Sequence, residues 1–448
     1  MICQCRLYKC GIVLFYLCFG LGMGGHSDIP TTLVFPAYTH SYGIQRATPA
    51  KLFMLAGWKT RFNDPQGIAC VKLKKLDDPQ TEHDDDELTV YGINSGEHNI
   101  IYNKSMYFLG IYGKPGSGEG QFHFPKGITA DEDGNVFVAD WGNHRIVHLF
   151  FSNDRLLEWR NSIGSLGEKP GKFNHPTGIA LDSKYRIYVS DTDNHRIQVF
   201  DSSLAFLFSL GKLGAFFLNK PTGIVVTDPD EIWSRYRQHP MIYCIDSLGQ
   251  RLIGFNLETQ QSFRSAFPIS YPPHEFKYLA LDYFNQVYVT DIKNHTIHKF
   301  DRDLNYLTSF GNQGLKDRQF VEPRGICIWR RYGQTFITEK EGAQYYWIGT
   351  DTSSFEYETK SQQVKIKLRL TEPTFLRITL VQRDSTMEKL FFSRHNPDGK
   401  FFQPSGVFET DWIIKKTLTG NCTLKIILEP TYSSYTYFSK VIERKVAF

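Results

Sequence analysis

The sequence predicts an all-β protein: a six-bladed β-propeller followed by a small β-sandwich. Three observations carry that expectation. A unit of 45 to 55 residues recurs across residues 48–350, each copy holding several short apolar runs between turn signals. Phe and Tyr are abundant, at 35 and 24 residues, which leans toward strands more than helices. From residue 361 onward the repeat stops and strict alternation of apolar and polar residues takes over.

The repeat is plainest in two copies. Residues 116–149 read GSGEGQFHFPKGITADEDGNVFVADWGNHRIVHL, and residues 164–199 read GSLGEKPGKFNHPTGIALDSKYRIYVSDTDNHRIQV. A third, residues 276–300, reads FKYLALDYFNQVYVTDIKNHTIHKF. Weaker copies surround Pro65 to Ile68, Pro221 to Ile224 and Pro323 to Ile326. The acidic residue or Asn that ends the second strand marks each unit, at Asn94, Asp140, Asp191, Asp246, Asp291 and Glu339. Six such marks at that spacing read as six blades.

Within one unit the physics is legible. Gly127 to Ala130 reads as a first strand, with Gly where backbones crowd near a ring axis. Asp133 and Gly134 supply a tight turn. Val136 to Ala139 is apolar throughout, as a strand covered on both faces must be. Asp140 ends it, and Ile146 to Phe150 forms a third strand. These residues resemble NHL repeats, with the namesake stretch at Asn143-His144-Arg145-Ile146 and Asn194-His195-Arg196-Ile197, and a departure at Thr296 in the third copy. The resemblance implies the propeller and covers roughly residues 48–350. Ring closure follows from Leu52 to Gly57, which matches the fourth-strand position of Tyr107 to Ile111 but has no unit of its own. It is expected to pair with the strand near Gln344–Ile348 and so remove two exposed edges.

Residues 361–448 are expected to form the sandwich, with strands at Val364–Leu370, Phe375–Val381, Leu424–Leu428 and Tyr435–Val441. Pro404 to Phe408 with Asp411-Trp412 is similar to the immunoglobulin-like domain of flagellar hook-capping proteins, which implies a stalk, spacer or sorting role. At the other end, Arg6 and Lys9 precede an apolar run from Gly11 to Met23 and a set of small residues. That order predicts a signal peptide at 1–24 and an exported protein. No other segment reads as a membrane span. Cys70, Cys244, Cys327 and Cys422 show no C-x-x-C spacing and read as buried strand residues. A net charge of only +4 implies no broad nucleic-acid surface.

Several constellations invite a chemical reading. His98, His144, His195 and His295 begin third strands, about 10 Å outward of the axis strand, too far apart to share an ion. They read as turn residues. His123, His175 and His274 precede first strands, nearer the axis. Peptidyl-hydroxyglycine amidating lyases, propellers of this general kind, use three histidines around zinc. The position after Pro, where such a His is expected, holds Lys126, Thr177, Thr222 and Arg324 instead. Asp131 to Gly134 and Asp191 to Asp193 suggest calcium but lack the remaining ligands of an EF-hand loop. The acidic run Asp84 to Glu87 reads as a solvated loop. Asn103, Asn294 and Asn421 open glycosylation sequons.

What remains is a face. The residues after Pro, or at the equivalent place, form a ring round one channel mouth: Gln66, Lys126, Thr177, Thr222, Lys277 and Arg324. Three are basic and none is acidic. The expected function is a non-enzymatic scaffold, with no cofactor or metal, that presents this face to a protein, peptide or glycan. The ligand is expected to be anionic rather than a nucleic acid. The alternative is a metal-dependent propeller enzyme, amidating-lyase-like or a hydrolase.

Overall fold

The computed structural model describes residues 31–35, 46–57, 60–76, 88–103, 109–265, 272–360, 362–382, 385–392, 402–414, 420–432, 434 and 437–448. The expected signal peptide at 1–24 and the acidic run at 84–87 lie outside the described residues.

The repeats fold as a series of antiparallel sheets in chain order. The first unit consists of Pro65–Lys72, Leu88–Asn94, Asn99–Asn103 and Leu109–Tyr112. The second consists of Ile128–Ala130, Asn135–Asp140, Arg145–Phe151 and Leu157–Ile163, and the third of Pro176–Leu181, Ile187–Asp191, Arg196–Phe200 and Phe206–Leu210. Sheets that open with Ile224–Thr227, Phe276–Leu281 and Ile326–Trp329 follow. Each opening strand packs against the next, and the last packs against the first, so the six opening strands close into a ring. The chain is all-β and a β-propeller.

Local chemistry explains the hairpins. The Asp131 carboxylate accepts hydrogen bonds from the backbone N–H groups of Asp133 and Asn135, at 3.0 and 2.9 Å. Asp182 and Asp282 repeat the device in the third and fifth units. A short carboxylate that satisfies turn amides makes a hairpin cheap to form. The Asp131–Gly134 stretch is thus a hairpin turn, and Asp191 to Asp193 runs from a strand end into a tight turn. Second strands are buried over most of their length, and Ile187–Asp191 and Val287–Asp291 throughout: Val136, Phe137, Val138 and Ala139 are at most 2% exposed. Both faces of each sheet meet a neighbouring sheet, which is why these runs are apolar without alternation.

Gly at the start of the opening strands is demanded by the ring. A Cβ on Gly127 would lie 2.2 Å from the Thr177 carbonyl O, and one on Gly178 2.1 Å from that of Thr222. No real side chain tolerates such contacts.

Ring closure differs from the expectation in its residues. The strand Gly342–Ile348 is paired by Leu33–Val34 and Arg46–Ala47, not by residues 52–57. The latter belong to a helix, Pro49–Ala56. Thr48 caps it by accepting from the Lys51 amide, Pro49 occupies its first turn, and Gly57 at φ 85° ends it. Those are start and stop signals a strand would not carry. The N-terminal segment closes the ring as anticipated, but from farther upstream.

The C-terminal residues form two antiparallel sheets: Thr352–Lys360, Gln363–Leu370 and Gly406–Ile413 in one, and Thr374–Gln382, Ser385–Phe392, Asn421–Pro430 and Lys440–Ala447 in the other. Their inward faces share one core, including Val364, Ile366, Leu368, Ile378, Trp412, Ile426 and Ile442. The final strand starts at Lys440 instead of Tyr435. These sheets dock on the hairpin side of the fifth and sixth units. Phe402 and Tyr432 join a core with Phe284, Ile326 and Ile348, and the Tyr432 hydroxyl accepts from the Tyr283 amide at 3.1 Å. The opposite side of the ring carries the expected site.

Candidate binding site

The mouth opposite the docked sheets is built by the residues that lead into the opening strands. Asp64, Phe124, His175, Lys220 and Glu322 each precede a Pro and hold left-handed φ values between 48° and 54°. That conformation is disfavoured for ordinary residues, and before Pro more so. The amide of each of the last four is held by the repeat histidine of the preceding unit. His98, His144, His195 and His295 present Nδ1 as acceptor to Phe124, His175, Lys220 and Glu322, at 2.9 to 3.1 Å. The namesake histidine thus pins the next unit's entry loop, and its Nδ1 carries no proton.

The Asp marker does the same for the residue before. Asp140 accepts from the His123 amide at 2.8 Å and also binds the Asn143 amide group and the Arg145 guanidinium. Asp191 and Asp246 repeat the pattern with Arg196 and Arg251. The sixth unit lacks an Arg at that place. Its Glu339 instead receives both bonds of Arg46, at 2.8 and 2.9 Å, from the ring-closing strand.

His123, His175 and His274 do not converge. His175 bonds to Asp193 at 2.7 Å, His274 stacks on Phe276, and His123 stacks on His98. Among the described residues no three His, Cys, Asp or Glu side chains gather as a metal site.

The six expected mouth residues separate into two groups. Thr177 and Thr222 are spent on structure: the Thr177 hydroxyl shares a 2.7 Å bond with Thr192, and that of Thr222 reaches the Ile245 carbonyl at 3.5 Å. Gln66 is buried, and its Oε1 accepts from the Tyr278 hydroxyl at 3.2 Å. Lys126 and Arg324, by contrast, meet at Asp64. Lys126 Nζ lies 3.3 Å from Asp64 Oδ2, and Arg324 binds the other carboxylate oxygen while also reaching Glu322 at 3.2 Å. The expectation of a rim without acids is therefore corrected: the residue before Pro65 turns inward and brings a carboxylate. Burial, with repulsion from Lys277 added, holds the Lys126 ammonium down at about 8. Lys277 has no carboxylate partner among the described residues.

Tyr278 was not anticipated, and it matters most to the shape of the mouth. Its side chain leaves the fifth unit and reaches the first and second, where the hydroxyl also lies 3.0 Å from the Lys126 carbonyl O. It stands where the other units have Gly67, Gly127, Gly178, Gly223 and Gly325. Behind it runs a central cavity of about 190 Å³ lined by all six opening strands, with Arg330 among its lining residues. The available signal was the break in the repeat itself, Tyr in place of Gly.

Known proteins place these repeats. The profile of the NHL repeat matches residues 122–149 and 173–200. NHL repeat-containing protein 3 of Mus musculus is 38% identical over 116 residues, 25% of this chain and 32% of that protein. A probable peptidyl-alpha-hydroxyglycine alpha-amidating lyase of Caenorhabditis elegans, pgal-1, is 34% identical over 92 residues, 19% of this chain and 25% of that one. The chain thus spans about a third or less of the curated relatives it matches. The virginiamycin B lyase structure from Staphylococcus aureus aligns with a TM-score of 0.39 at 14% identity, covering 58% of this chain and 77% of that one. Motif, sheet order and sequence likeness agree that this chain carries NHL repeats and is similar through them to the NHL repeat-containing proteins.

Proposed function

We propose that the chain is an exported binding scaffold, a six-bladed NHL propeller with a C-terminal immunoglobulin-like sandwich. It presents its open mouth to a protein, peptide or glycan that carries an acidic group. The observation that carries this reading is the cluster at the mouth. Lys126 and Arg324 meet at the inward carboxylate of Asp64, Lys277 stands close enough to repel Lys126, and the side is the one that the C-terminal sheets leave uncovered. Like charges held together in a half-buried place weaken a fold slightly and become favourable when an anion arrives. The sandwich, docked on the far side, serves as a spacer. Lyase chemistry is the weaker reading, because His123, His175 and His274 have separate engagements and the post-Pro positions hold no His.

The test is binding of a fluorescent oligoglutamate peptide and of a sulfated glycan fragment to the full chain. Lys126→Ala with Lys277→Ala should weaken binding at least tenfold, about 1.4 kcal/mol or more, and leave the melting temperature unchanged or raised. Wild-type binding should fall with added salt, and with pH as Lys126 loses its proton near 8. A double variant that melts markedly lower and binds as before would assign these lysines to structure and sink the proposal.

A further inference from the structure

Cys70 and Cys327 stand on neighbouring opening strands, Pro65–Lys72 of the first unit and Ile326–Trp329 of the last, and both line the central cavity. The alignment of the two strands is visible two residues earlier. A Cβ on Gly325 would meet the Gln66 carbonyl O at 2.3 Å and the Ile68 amide N at 2.9 Å, so that position aims directly at first-unit backbone. Side chains two residues apart on a strand leave from the same face. Cys327 is therefore aimed at the stretch from Ile68 to Cys70. The side chain it meets is the Cys70 thiol: burial pushes the Cys327 thiol up, and a side-chain hydrogen bond with Cys70 adds to the rise. Both residues are half-buried, whereas Cys244 and Cys422 are buried in separate cores. All four cysteines lie on strands, as expected, but only Cys244 and Cys422 are fully buried.

We propose that Cys70 and Cys327 are a disulfide-forming pair, a covalent clasp across the seam where the last unit meets the first. The oxidant is a small-molecule disulfide of the glutathione class. The Cys70 thiolate attacks it, forming a mixed disulfide and releasing one glutathione thiol. The Cys327 thiolate then attacks the Cys70 sulfur, forming the protein disulfide and releasing the second. The two protons lost by the protein thiols end on the two glutathione thiols. The two thiols are half-buried in the folded ring, so exchange belongs to folding, before the seam closes. The link joins residues remote in sequence and constrains the unfolded chain strongly. It stands on the strand geometry and the shared cavity lining and is independent of the binding role.

The full chain is unfolded with dithiothreitol, then refolded in a glutathione and glutathione-disulfide buffer or in dithiothreitol. Free thiols are alkylated and the protein is digested and mapped by mass spectrometry. The disulfide buffer should yield a peptide pair joining Cys70 to Cys327, and a melting temperature about 5 °C or more above the reduced sample. Cys70→Ala and Cys327→Ala should each remove that redox dependence. Alkylated Cys70 and Cys327 in natively refolded wild type, or linkage of either to any other cysteine, would overturn the proposal. Should an alanine variant fail to refold, the wild-type peptide map decides alone.

Discussion

Tyr278 shows how one residue can reshape a repeated structure. Five opening strands carry Gly where backbones touch, and each unit alone would leave the axis open. The fifth unit spends a large side chain there, buried along most of its length, and bonds it to the first and second units. Burial pushes its hydroxyl well above the ordinary phenol range, so it remains a donor at any working pH. Tyr278→Phe should cost about 1 to 2 kcal/mol, since the Lys126 carbonyl O and Gln66 Oε1 lose a donor. Tyr278→Gly, which restores the repeat, should cost roughly 3 kcal/mol or more by leaving a cavity. Urea unfolding measures both. A Tyr278→Gly protein as stable as wild type would mean that neighbouring residues fill the space.

The ring-closing strand is the element whose chemistry differs most from its counterparts. In the second, third and fourth units the marker carboxylate is bound by an Arg five residues downstream, within one sheet. In the sixth unit the Arg arrives from Arg46–Ala47, so the same ion pair also ties the start of the propeller to its end. Glu339 is 2% exposed, and burial raises its carboxyl pKa against the opposing pull of Arg46. Removing one partner of a buried pair strands the other. Arg46→Ala should therefore cost roughly 3 kcal/mol in denaturant unfolding, and adding Glu339→Gln should recover part of that loss. It should also speed protease cleavage between residues 33 and 47. If Arg46→Ala unfolds like wild type, closure rests on strand pairing and the guanidinium is incidental. The helix Pro49–Ala56 packs on the first unit's outer strand, and its capping signals were present in the sequence. Likeness to a fourth strand obscured them, because a short apolar run fits either period.

At the scale of the whole molecule, a buried ionic cluster joins propeller and C-terminal sheets. Lys299 Nζ contacts Glu372, stands 3.7 Å from Asp282, and donates to the Tyr288 hydroxyl at 2.7 Å. Tyr288 donates in turn to Glu372 at 2.9 Å. One ammonium faces two carboxyl groups, all at most 1% exposed, so one proton stays in the cluster. Burial raises the Glu372 carboxyl to about 8 despite the Lys299 charge, and raises Asp282 as well. The folded state then holds a proton that the unfolded chain gives up near its ordinary carboxylate pKa. Stability is fully present below about 4.5 and declines as pH rises toward 8. Melting temperatures from pH 5 to 8.5 should show this fall in wild type and a flatter profile in Glu372→Gln. Equal slopes in the two proteins would place the proton elsewhere.

The sequence by itself determined what recurs. Glycines, hairpin aspartates, marker carboxylates and histidine turns each act through backbone groups a few residues away or in the adjoining unit, so most copies restate the rule. It also pointed to the mouth, since position within the repeat places Lys126, Lys277 and Arg324 on one side. Only the tertiary structure decided what occurs once. Asp64 among the cations, Arg46 on Glu339, Tyr278 across the axis, Cys70 beside Cys327 and Lys299 against Glu372 each join residues far apart in the chain. Their partners are chosen by the closing of the ring and the docking of the C-terminal sheets. No local period encodes such pairs, because proximity between distant segments is set by the sum of all the packing between them.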